Sequence, residues 1–352
     1  MGICASSGPD LSRPAVSTSF GRAQWPDPAT VVLVRRRGPE DGLALAGPGR
    51  SRLAPARYGR QMSDVRSSLN PQQSAGPAWR DLAKSPPDWV VGHLNPDLDS
   101  LVAALVAAHL TGSQAARWET VEPLSEAVWA RLGQAALPAL PQEGTVGLVD
   151  CSLPQQPRTV LWAVDHHPQG QRLRPYPVYV EQVGATATII ARVRDRLTEA
   201  DRRLLAAAIV ADTMALTSNR TTDYDRLALS ALVADWRELV AVVFPQDPGL
   251  SPEQWRAAGR KQVLGLPWAS GGGFGPAPDV DAIAEGEAGP FAFSWIDIQA
   301  QTTTLALVLD HRVVRRLTYP AVLSRTRIGP EIREPMEETF GHPLRYESES
   351  KE

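Results

Sequence analysis

Short apolar runs alternate with helix-like segments from Trp89 onward. The runs Val146–Val149 and Leu161–Val164 are continuously apolar, as is Trp89–Val91, which precedes a helix-like run at Leu101–Leu110. Strands that are buried on both faces of a parallel sheet have continuous apolar runs, and helices supply the crossover connections between them. The pattern therefore predicts an α/β fold built from βαβ units.

Length and composition predict two domains, because a chain of 352 residues that is 43% hydrophobic can bury two cores. The predicted boundaries are 1–86 for a Pro-, Ser-, Gly- and Arg-rich N-terminal extension, 87–244 for the first domain and 253–345 for a smaller second domain. We expect the extension to be disordered or to form a small lobe. A Pro/Gly-rich linker at Pro245–Pro252 ends the first domain.

Local patterns give the expected strands and helices of each domain. In the first domain we expect strands at 118–121, 145–150 and 159–165, and helices at 122–136, 184–197, 201–211 and 223–243. In the second we expect strands at 291–296, 303–309 and 321–323. The Gly271–Gly273 stretch is expected to be a flexible loop within the second domain.

A single strand-to-helix turn carries one histidine and two aspartates. His93, Asp97 and Asp99 follow the first predicted strand. Asn95-Pro96 favours a turn there, because proline fixes φ and the residue before it avoids the helical region. Imidazole together with hard carboxylate oxygens suits a first-row divalent metal such as Mn²⁺. The alternative is a helix cap, with Asp99 or Ser100 at the N-cap and the remaining charge in solvent.

Acids and histidines also follow the other predicted strands. Asp150 ends one apolar run, Asp165-His166-His167 ends the next, and Asp212 closes an apolar helix. Open α/β sheets bind ligands at the carboxyl ends of their strands, so we expect these side chains to share one rim with the turn motif. Two alternatives stay open: Asp212 could cap the following turn, and His167 could orient His166.

Charge and composition narrow the classes of function. A net charge of −3 argues against a general polyanion binder, so we expect no nucleic-acid partner, and any attraction for a small phosphate substrate would have to be local and metal-based. The two cysteines, Cys4 and Cys151, give no disulfide framework and predict a reducing compartment, the cytoplasm. No apolar run reaches the ~18 residues of a membrane span, so no membrane partner is expected.

Together these motifs resemble the DHH phosphoesterase superfamily, and within it the manganese-dependent (family II) inorganic pyrophosphatases. The resemblance is carried by His93-x-Asn95-Pro96-Asp97-x-Asp99-Ser100, Val149-Asp150, Asp165-His166-His167, Val183–Thr188, Ala211-Asp212-Thr213 and Val322–Arg327. It implies a parallel-sheet DHH domain followed by a smaller α/β C-terminal domain of the DHHA2 type. The active site is then expected in the cleft between the two domains.

The resemblance also implies a two-metal site. The ligands of one Mn²⁺ would be His93, Asp97 and Asp150, and those of the second would be Asp99, Asp150, His166 and Asp212. Co²⁺ and Mg²⁺ are the alternative ions. A homodimer through the DHH domain is the expected assembly.

The implied reaction is hydrolysis of a phosphoanhydride, above all of inorganic pyrophosphate to two phosphates, by a hydroxide that the metal ions activate. Asp99 and His167 would be the catalytic residues. His167, Arg325 and Arg327 would bind the substrate, the two arginines from the second domain.

The chain departs from the pyrophosphatase pattern at two positions. Cys151 stands where the pattern has histidine after the bridging acid, and Thr326 stands where it has lysine after Arg325. Lys261 is a poor candidate for the additional substrate lysine of the family. Two alternatives therefore remain: a related DHH phosphoesterase acting on short polyphosphate or a nucleotide phosphoester, and a non-catalytic metal-binding regulatory protein. Retention of every inferred metal ligand argues against the second.

Overall fold

Two five-stranded sheets organise the part of the chain that the structure describes. The structure is a computed structural model, and it describes residues 84–167, 174–323, 328–329 and 333–340. The strands of the first sheet are β1 (Trp89–Val91), β2 (Gln114–Ala116), β3 (Val146–Val149), β4 (Val160–Asp165) and β5 (Val178–Val180). The strands of the second are β6 (Lys261–Val263), β7 (Leu266–Gly273), β8 (Phe291–Asp297), β9 (Thr302–Leu309) and β10 (Arg312–Tyr319). The predicted N-terminal extension lies outside the described residues as far as residue 83.

The first sheet is entirely parallel, with strand order β2-β1-β3-β4-β5. All of β3 and the last four residues of β4 are buried, as their continuous apolar runs predicted. The strand order reverses at β1, because β2 lies on one side of it and β3 to β5 lie on the other. Ligands of open α/β sheets bind outside the carboxyl ends of the strands at such a switch point. The segments that follow β1 and β3 are therefore the expected place for a site.

Helices connect the strands and pack around them. They are α1 (Leu98–Thr111), α2 (Pro123–Arg131), α3 (Thr186–Ile190), α4 (Glu199–Asp212), α5 (Asp223–Leu232), α6 (Arg237–Val243), α7 (Pro252–Ala257), α8 (Val280–Ala284) and α9 (Arg333–Phe340). A 3₁₀ segment, Ala191–Arg196, follows α3. Helix α1 begins after Asp97, whose carboxylate accepts a backbone amide, and ends at Gly112 with φ of 74°. None of the described helices combines the length and the apolar character needed to cross a membrane.

The second sheet is mixed, with order β10-β9-β8-β7-β6 and a parallel pairing only between β7 and β8. Successive residues of a strand point to opposite faces. Accordingly, Trp268 packs in one buried cluster with Phe340, and Ala269 packs in another with Trp255 and Trp295. The predicted α/β fold, with a parallel sheet followed along the chain by a second sheet, is confirmed.

Several predicted boundaries of the first domain are wrong. Residues 118–121 form no strand, and the edge strand is Gln114–Ala116 instead. Trp118 leaves the sheet and donates its indole N–H to the carbonyl of Gly92 at 2.7 Å. The helix expected over 223–243 is two helices, α5 and α6.

The second domain also differs from its predicted pattern. Gly271–Gly273 ends β7 and is not a loop, because Trp255 and Trp295 cover it so closely that a Cβ would lie 2.6 Å from one ring at Gly271 and 2.8 Å from the other at Gly273. Residues 321–323 form no strand. Strands β6, β7 and β10 of this sheet were not predicted, and neither was β5 of the first sheet. In β10 exposed residues alternate with half-buried ones, and its arginines mask the strand pattern.

We predict that Gly147 is required by packing, since a Cβ there would lie 2.5 Å from the fully buried ring of Trp162. Gly147→Ala should lower the free energy of unfolding by about 1–3 kcal/mol, the usual result of overpacking a core. Gly289→Ala is the matched control, because nothing lies within 4 Å of its added Cβ. Chemical denaturation of both variants measures the difference, and equal stability would contradict this packing explanation.

Candidate metal centre

The predicted site residues meet at the carboxyl edge of the first sheet. Their ligand atoms form three groups, in each of which all atoms lie within 4.8 Å of one another: His93, Asp97 and Asp150; Asp150, His166 and His167; Asp99, His166 and Asp212. The residues come from four places in the chain, namely the turn after β1, the ends of β3 and β4, and the last residue of α4. Asp150 and His166 each belong to two groups, so the three groups form one continuous cluster.

The first group lies at the switch point between β1 and β3. The Nε2 of His93 lies 3.5 Å from Oδ2 of Asp97 and 3.4 Å from Oδ2 of Asp150. The other oxygen of Asp97 accepts the backbone amide of Ser100 at 3.1 Å. Asp97 is therefore both the cap of α1 and a member of the cluster, so the N-cap is neither Asp99 nor Ser100, the residues weighed for that role. Ser100 also holds His93 in place, because its hydroxyl accepts the His93 amide at 3.0 Å.

His166 carries a buried nitrogen that suits a cation. Its Nδ1 lies 3.0 Å from the carbonyl of Val183, which fixes Nδ1 as the donor, so the ring offers the lone pair of Nε2 to a cation once Nε2 has lost its proton. That Nε2 is buried and makes no hydrogen bond, although Oδ1 of Asp150 lies 3.2 Å away and Oδ2 of Asp212 lies 3.6 Å away. A nitrogen lone pair and two carboxylates that converge on one buried point fit a divalent metal ion.

Asp99 is held by the helix that faces it. Its carboxylate accepts the amides of Thr186 at 2.6 Å and Ala187 at 2.9 Å, at the start of α3. This helix has no side-chain cap of its own, so Asp99 caps α3 across space rather than its own helix. The hydroxyl of Thr186 also donates to Asp150 at 3.2 Å. Burial and the nearby Asp150 raise the pKa of Asp99 well above its usual value.

The carboxylates of the cluster shift the pKa values of the imidazoles and of one another. Burial opposes protonation of His93, but Asp97 and Asp150 raise its pKa to about 11. Burial also opposes protonation of His166, but Asp150 raises its pKa to about 10. Burial, followed by Asp97, raises the pKa of Asp212 to about 6. Burial would raise the pKa of Asp150, yet the adjacent imidazoles of His166 and His93 keep it well below its usual value. The cluster thus attracts protons strongly and has the charge to attract metal cations.

His167 is oriented by the acid of its own motif. Oδ1 of the buried Asp165 lies 2.9 Å from Nδ1 of His167 and accepts its backbone amide at 3.0 Å. The His167 ring is partly exposed and lines the cavity described below. Sequence reasoning gave Asp165 no role of its own, and the structure shows that it fixes the position of His167.

A second buried acid holds the segment behind His166. Asp225 accepts the amide of Gly184 at 2.9 Å and the hydroxyl of Thr188 at 2.5 Å. A Cβ on Gly184 would lie 2.8 Å from this carboxylate, which explains the glycine. Of the two threonines in this segment, Thr186 donates its hydroxyl to Asp150 in the cluster, whereas Thr188 donates to Asp225. The sequence gave no sign of Asp225 beyond its place at the start of a helix.

A cavity of about 640 Å³ opens onto the cluster. Its wall includes His93, Asp150 and His167 from the first sheet region and Arg260 and Lys261 from the second. Lys261, which sequence reasoning gave as a poor candidate for a substrate lysine, lies in this wall. Lys261 also acts on the cluster through its charge. Burial raises the pKa of Asp97, but His93 lowers it, and Lys261 lowers it further, so the pKa lies below its usual value. The other two predicted substrate residues, Arg325 and Arg327, lie outside the described residues.

Sequence comparison finds manganese-dependent inorganic pyrophosphatases. The chain is 34% identical over 163 residues to a Deinococcus radiodurans protein named a probable manganese-dependent inorganic pyrophosphatase, a match that covers 41% of this chain and 52% of the relative. It is 31% identical over 159 residues to the manganese-dependent inorganic pyrophosphatase of Methanocaldococcus jannaschii, with 39% of this chain and 52% of the relative covered. The chain spans about half the length of the curated relatives it matches. No protein-family model matches the chain.

Structural comparison finds the same kind of protein. A crystal structure of a Methanococcus jannaschii protein described as a family II inorganic pyrophosphatase has a TM-score of 0.54 and 22% identity, and the match covers 72% of this chain and 99% of that chain. At this identity the likeness shows a shared fold. The resemblance to the DHH-type family II pyrophosphatases that the motifs indicated is therefore confirmed.

We predict that Mn²⁺ binding releases about two protons per chain at neutral pH. His93 and His166, with pKa values near 11 and 10, are protonated there, and a nitrogen must lose its proton to bind metal. Because both pKa values lie above neutrality, apparent affinity for Mn²⁺ should rise as the pH rises from 6 to 9. Isothermal titration calorimetry in buffers of different ionisation enthalpy measures the proton count. Heat that does not depend on the buffer would contradict the prediction.

Proposed function

We propose that this chain is a metal-dependent phosphohydrolase that uses Mn²⁺ and converts inorganic pyrophosphate to two phosphates. The observation that carries the proposal is the continuous cluster of acids and imidazoles around Asp150 and His166, which opens onto a cavity with a cationic wall at Lys261. The names of the curated relatives support both the metal and the substrate. We infer that residues 87–244 are the metal-binding domain and residues 253–345 the substrate-clamping domain. A homodimer and a cytoplasmic location stay predictions of the sequence.

The residues present fit two metal ions. We infer that one ion is held by His93, Asp97 and Asp150, and that the second is held by Asp99, Asp150, His166 and Asp212. Bound divalent ions supply Lewis acidity, which lowers the pKa of water and neutralises charge on phosphate oxygens. Asp150 suits the shared position, because its two oxygens face different imidazoles at 3.4 and 3.2 Å.

The chain's other residues position the substrate. Phosphoryl transfer depends mainly on positioning and charge neutralisation, so no protein nucleophile is required. Asp165 holds the His167 ring in the cavity wall, where it can donate a hydrogen bond to a phosphate oxygen. Asp99 keeps its catalytic position because Thr186 and Ala187 hold both of its oxygens. Lys261 supplies positive charge from the opposite wall, a role expected also of Arg325 and Arg327.

The size of the cavity favours, as a second candidate function, hydrolysis of a substrate larger than pyrophosphate. At about 640 Å³ it is much larger than a single pyrophosphate needs, and the exposed Leu153 forms part of its wall beside Gln155. A short polyphosphate or a nucleotide phosphoester would fill more of it. Comparing the specificity constants for pyrophosphate, tripolyphosphate and a nucleotide phosphoester decides between the two candidates.

The proposed function predicts Mn²⁺-dependent release of phosphate from pyrophosphate by the full-length protein. Asp150→Asn should reduce the turnover number more than Asp97→Asn, because Asp150 belongs to two ligand groups and Asp97 to one. Phosphate release is measured at saturating Mn²⁺, with metal-free protein as the control. Release no faster than in that control would refute the proposed function, and a greater loss from Asp97→Asn would refute the shared position of Asp150.

Lys261 is predicted to bind the substrate and not the metal. A hydrogen bond to a charged group contributes roughly 1.5–3 kcal/mol, so Lys261→Ala should raise KM for pyrophosphate about tenfold to hundredfold. The affinity for Mn²⁺ should change little, because no proposed ligand is altered. Lys84→Ala is the matched control, since Lys84 is exposed and is not part of the cavity wall. A KM for Lys261→Ala equal to that of the control would contradict this role.

A further inference from the structure

Glu122 is a buried carboxylate at the junction between the two sheet regions. It caps α2, where its oxygens accept the amides of Leu124 at 3.1 Å and Ser125 at 2.6 Å. The oxygen that accepts the Leu124 amide also accepts the amide of Gly259 at 3.0 Å, from a residue that lies 137 positions later in the chain. A helix cap in the first sheet region thus holds the backbone that leads into the first strand of the second.

The backbone of Glu122 contacts the metal-binding turn. Its amide donates to the carbonyl of Pro96 at 3.3 Å, in the turn that carries His93 and Asp97. One residue therefore binds that turn through its main chain and the Gly259 segment through its side chain. Glu122 is itself part of the cavity wall.

The segment around Gly259, residues 259–261, carries the cationic residues of the cavity wall, Arg260 and Lys261. Gly259 has a φ of 52°, a left-handed conformation that favours glycine and turns the chain from α7 towards β6. Arg260 is paired with Glu287 at 2.6 Å and lies over the ring of Phe291. Lys261, the first residue of β6, lies two residues after Gly259. The hydrogen bond that holds the Gly259 amide therefore also restricts the position of the Lys261 backbone.

The length of Glu122 distinguishes it from an ordinary cap. The other side-chain caps of the described helices are short residues: Asp97, Thr198, Thr222, Ser251 and Asp279. Short side chains are also preferred at this position in general. The additional methylene of glutamate allows the carboxylate to cap α2 and still reach Gly259. Beside it, Leu124 packs against the buried cluster that contains Trp255, so apolar contact supports the same junction.

We propose that Glu122 is a positioning residue that fixes Lys261 opposite the metal-binding turn and so controls the affinity for the phosphate substrate. This inference rests on the proposed function for its effect on substrate. The hydrogen bond from Gly259 to Glu122 transmits the effect, and Glu122 is not one of the proposed metal ligands.

Two conservative variants separate the cap from the junction. Glu122→Asp is shorter by one C–C bond of about 1.5 Å, so it keeps a good cap for α2 but loses the reach to Gly259. Glu122→Gln keeps an oxygen for Leu124 and Gly259 but loses the acceptor for Ser125. Hydrogen exchange of the full-length protein, read by mass spectrometry over residues 257–263, tests this directly. We expect exchange to rise about tenfold in Glu122→Asp and to stay at the wild-type rate in Glu122→Gln, and wild-type exchange in Glu122→Asp overturns the proposal.

Kinetics with Mn²⁺ and pyrophosphate test the effect on substrate. Glu122→Asp should raise KM on the order of tenfold, with the turnover number and Mn²⁺ affinity within about twofold of wild type. In a Lys261→Ala background the same substitution should have no further effect, because the residue it positions is absent. If the two substitutions raise KM independently, so that their fold-changes multiply in the double variant, Glu122 has a purely structural role and the proposal is overturned. If wild-type protein releases no phosphate, the proposed function fails, and hydrogen exchange alone then decides whether Glu122 fixes this segment.

Discussion

Repulsion among four carboxylates, two of them buried and two partly exposed, is the constraint on which this structure depends. Asp97, Asp99, Asp150 and Asp212 lie together at the carboxyl edge of one sheet with two imidazoles between them. A buried charge without a partner is strongly unfavourable, so each group must be held by hydrogen bonds or by opposite charge. The amides of Ser100, Thr186 and Ala187 supply part of this stabilisation. Protons on the imidazoles, or metal ions in their place, must supply the rest.

This constraint explains why polar groups are buried well behind the cluster. His166 can offer Nε2 to a cation only if Nδ1 is held as a donor, and the Val183 carbonyl holds it. The following residue, Gly184, is in turn held by Asp225, a fully buried acid that lies 41 positions further along the chain. Asp165 does the same for His167. The cluster at the edge of the sheet therefore depends on two further acids: Asp225, which positions the segment beside His166, and Asp165, which positions His167.

Sequence patterns predicted the cluster because its residues directly follow buried strands. The runs that end at Asp150 and Asp165 are apolar throughout, so the strand ends, and with them the cluster, could be located without a structure. Lys261 could not be placed in this way, because it opens the short, exposed strand β6, whose side chains carry no apolar signal. One sign was present in the sequence: the chain has three lysines, at positions 84, 261 and 351, among 36 basic residues. Glu122 had no sign at all, since its partner Gly259 is adjacent only in the folded chain.

The two walls of the cavity differ in the residues that line them. Lys261 is a basic residue in one wall, whereas the acids Asp97 and Asp150 lie in the other. Two like charges 4 Å apart repel by about 4 kcal/mol at an effective dielectric constant near 20, so an anion is disfavoured beside these acids unless cations neutralise them. With the proposed ligands, two divalent ions would balance the charge of the four carboxylates, and Lys261 would then attract an anion from the other side of the cavity. Such an arrangement requires the two walls to be held at a fixed separation, and the Glu122–Gly259 hydrogen bond lies where that separation is set.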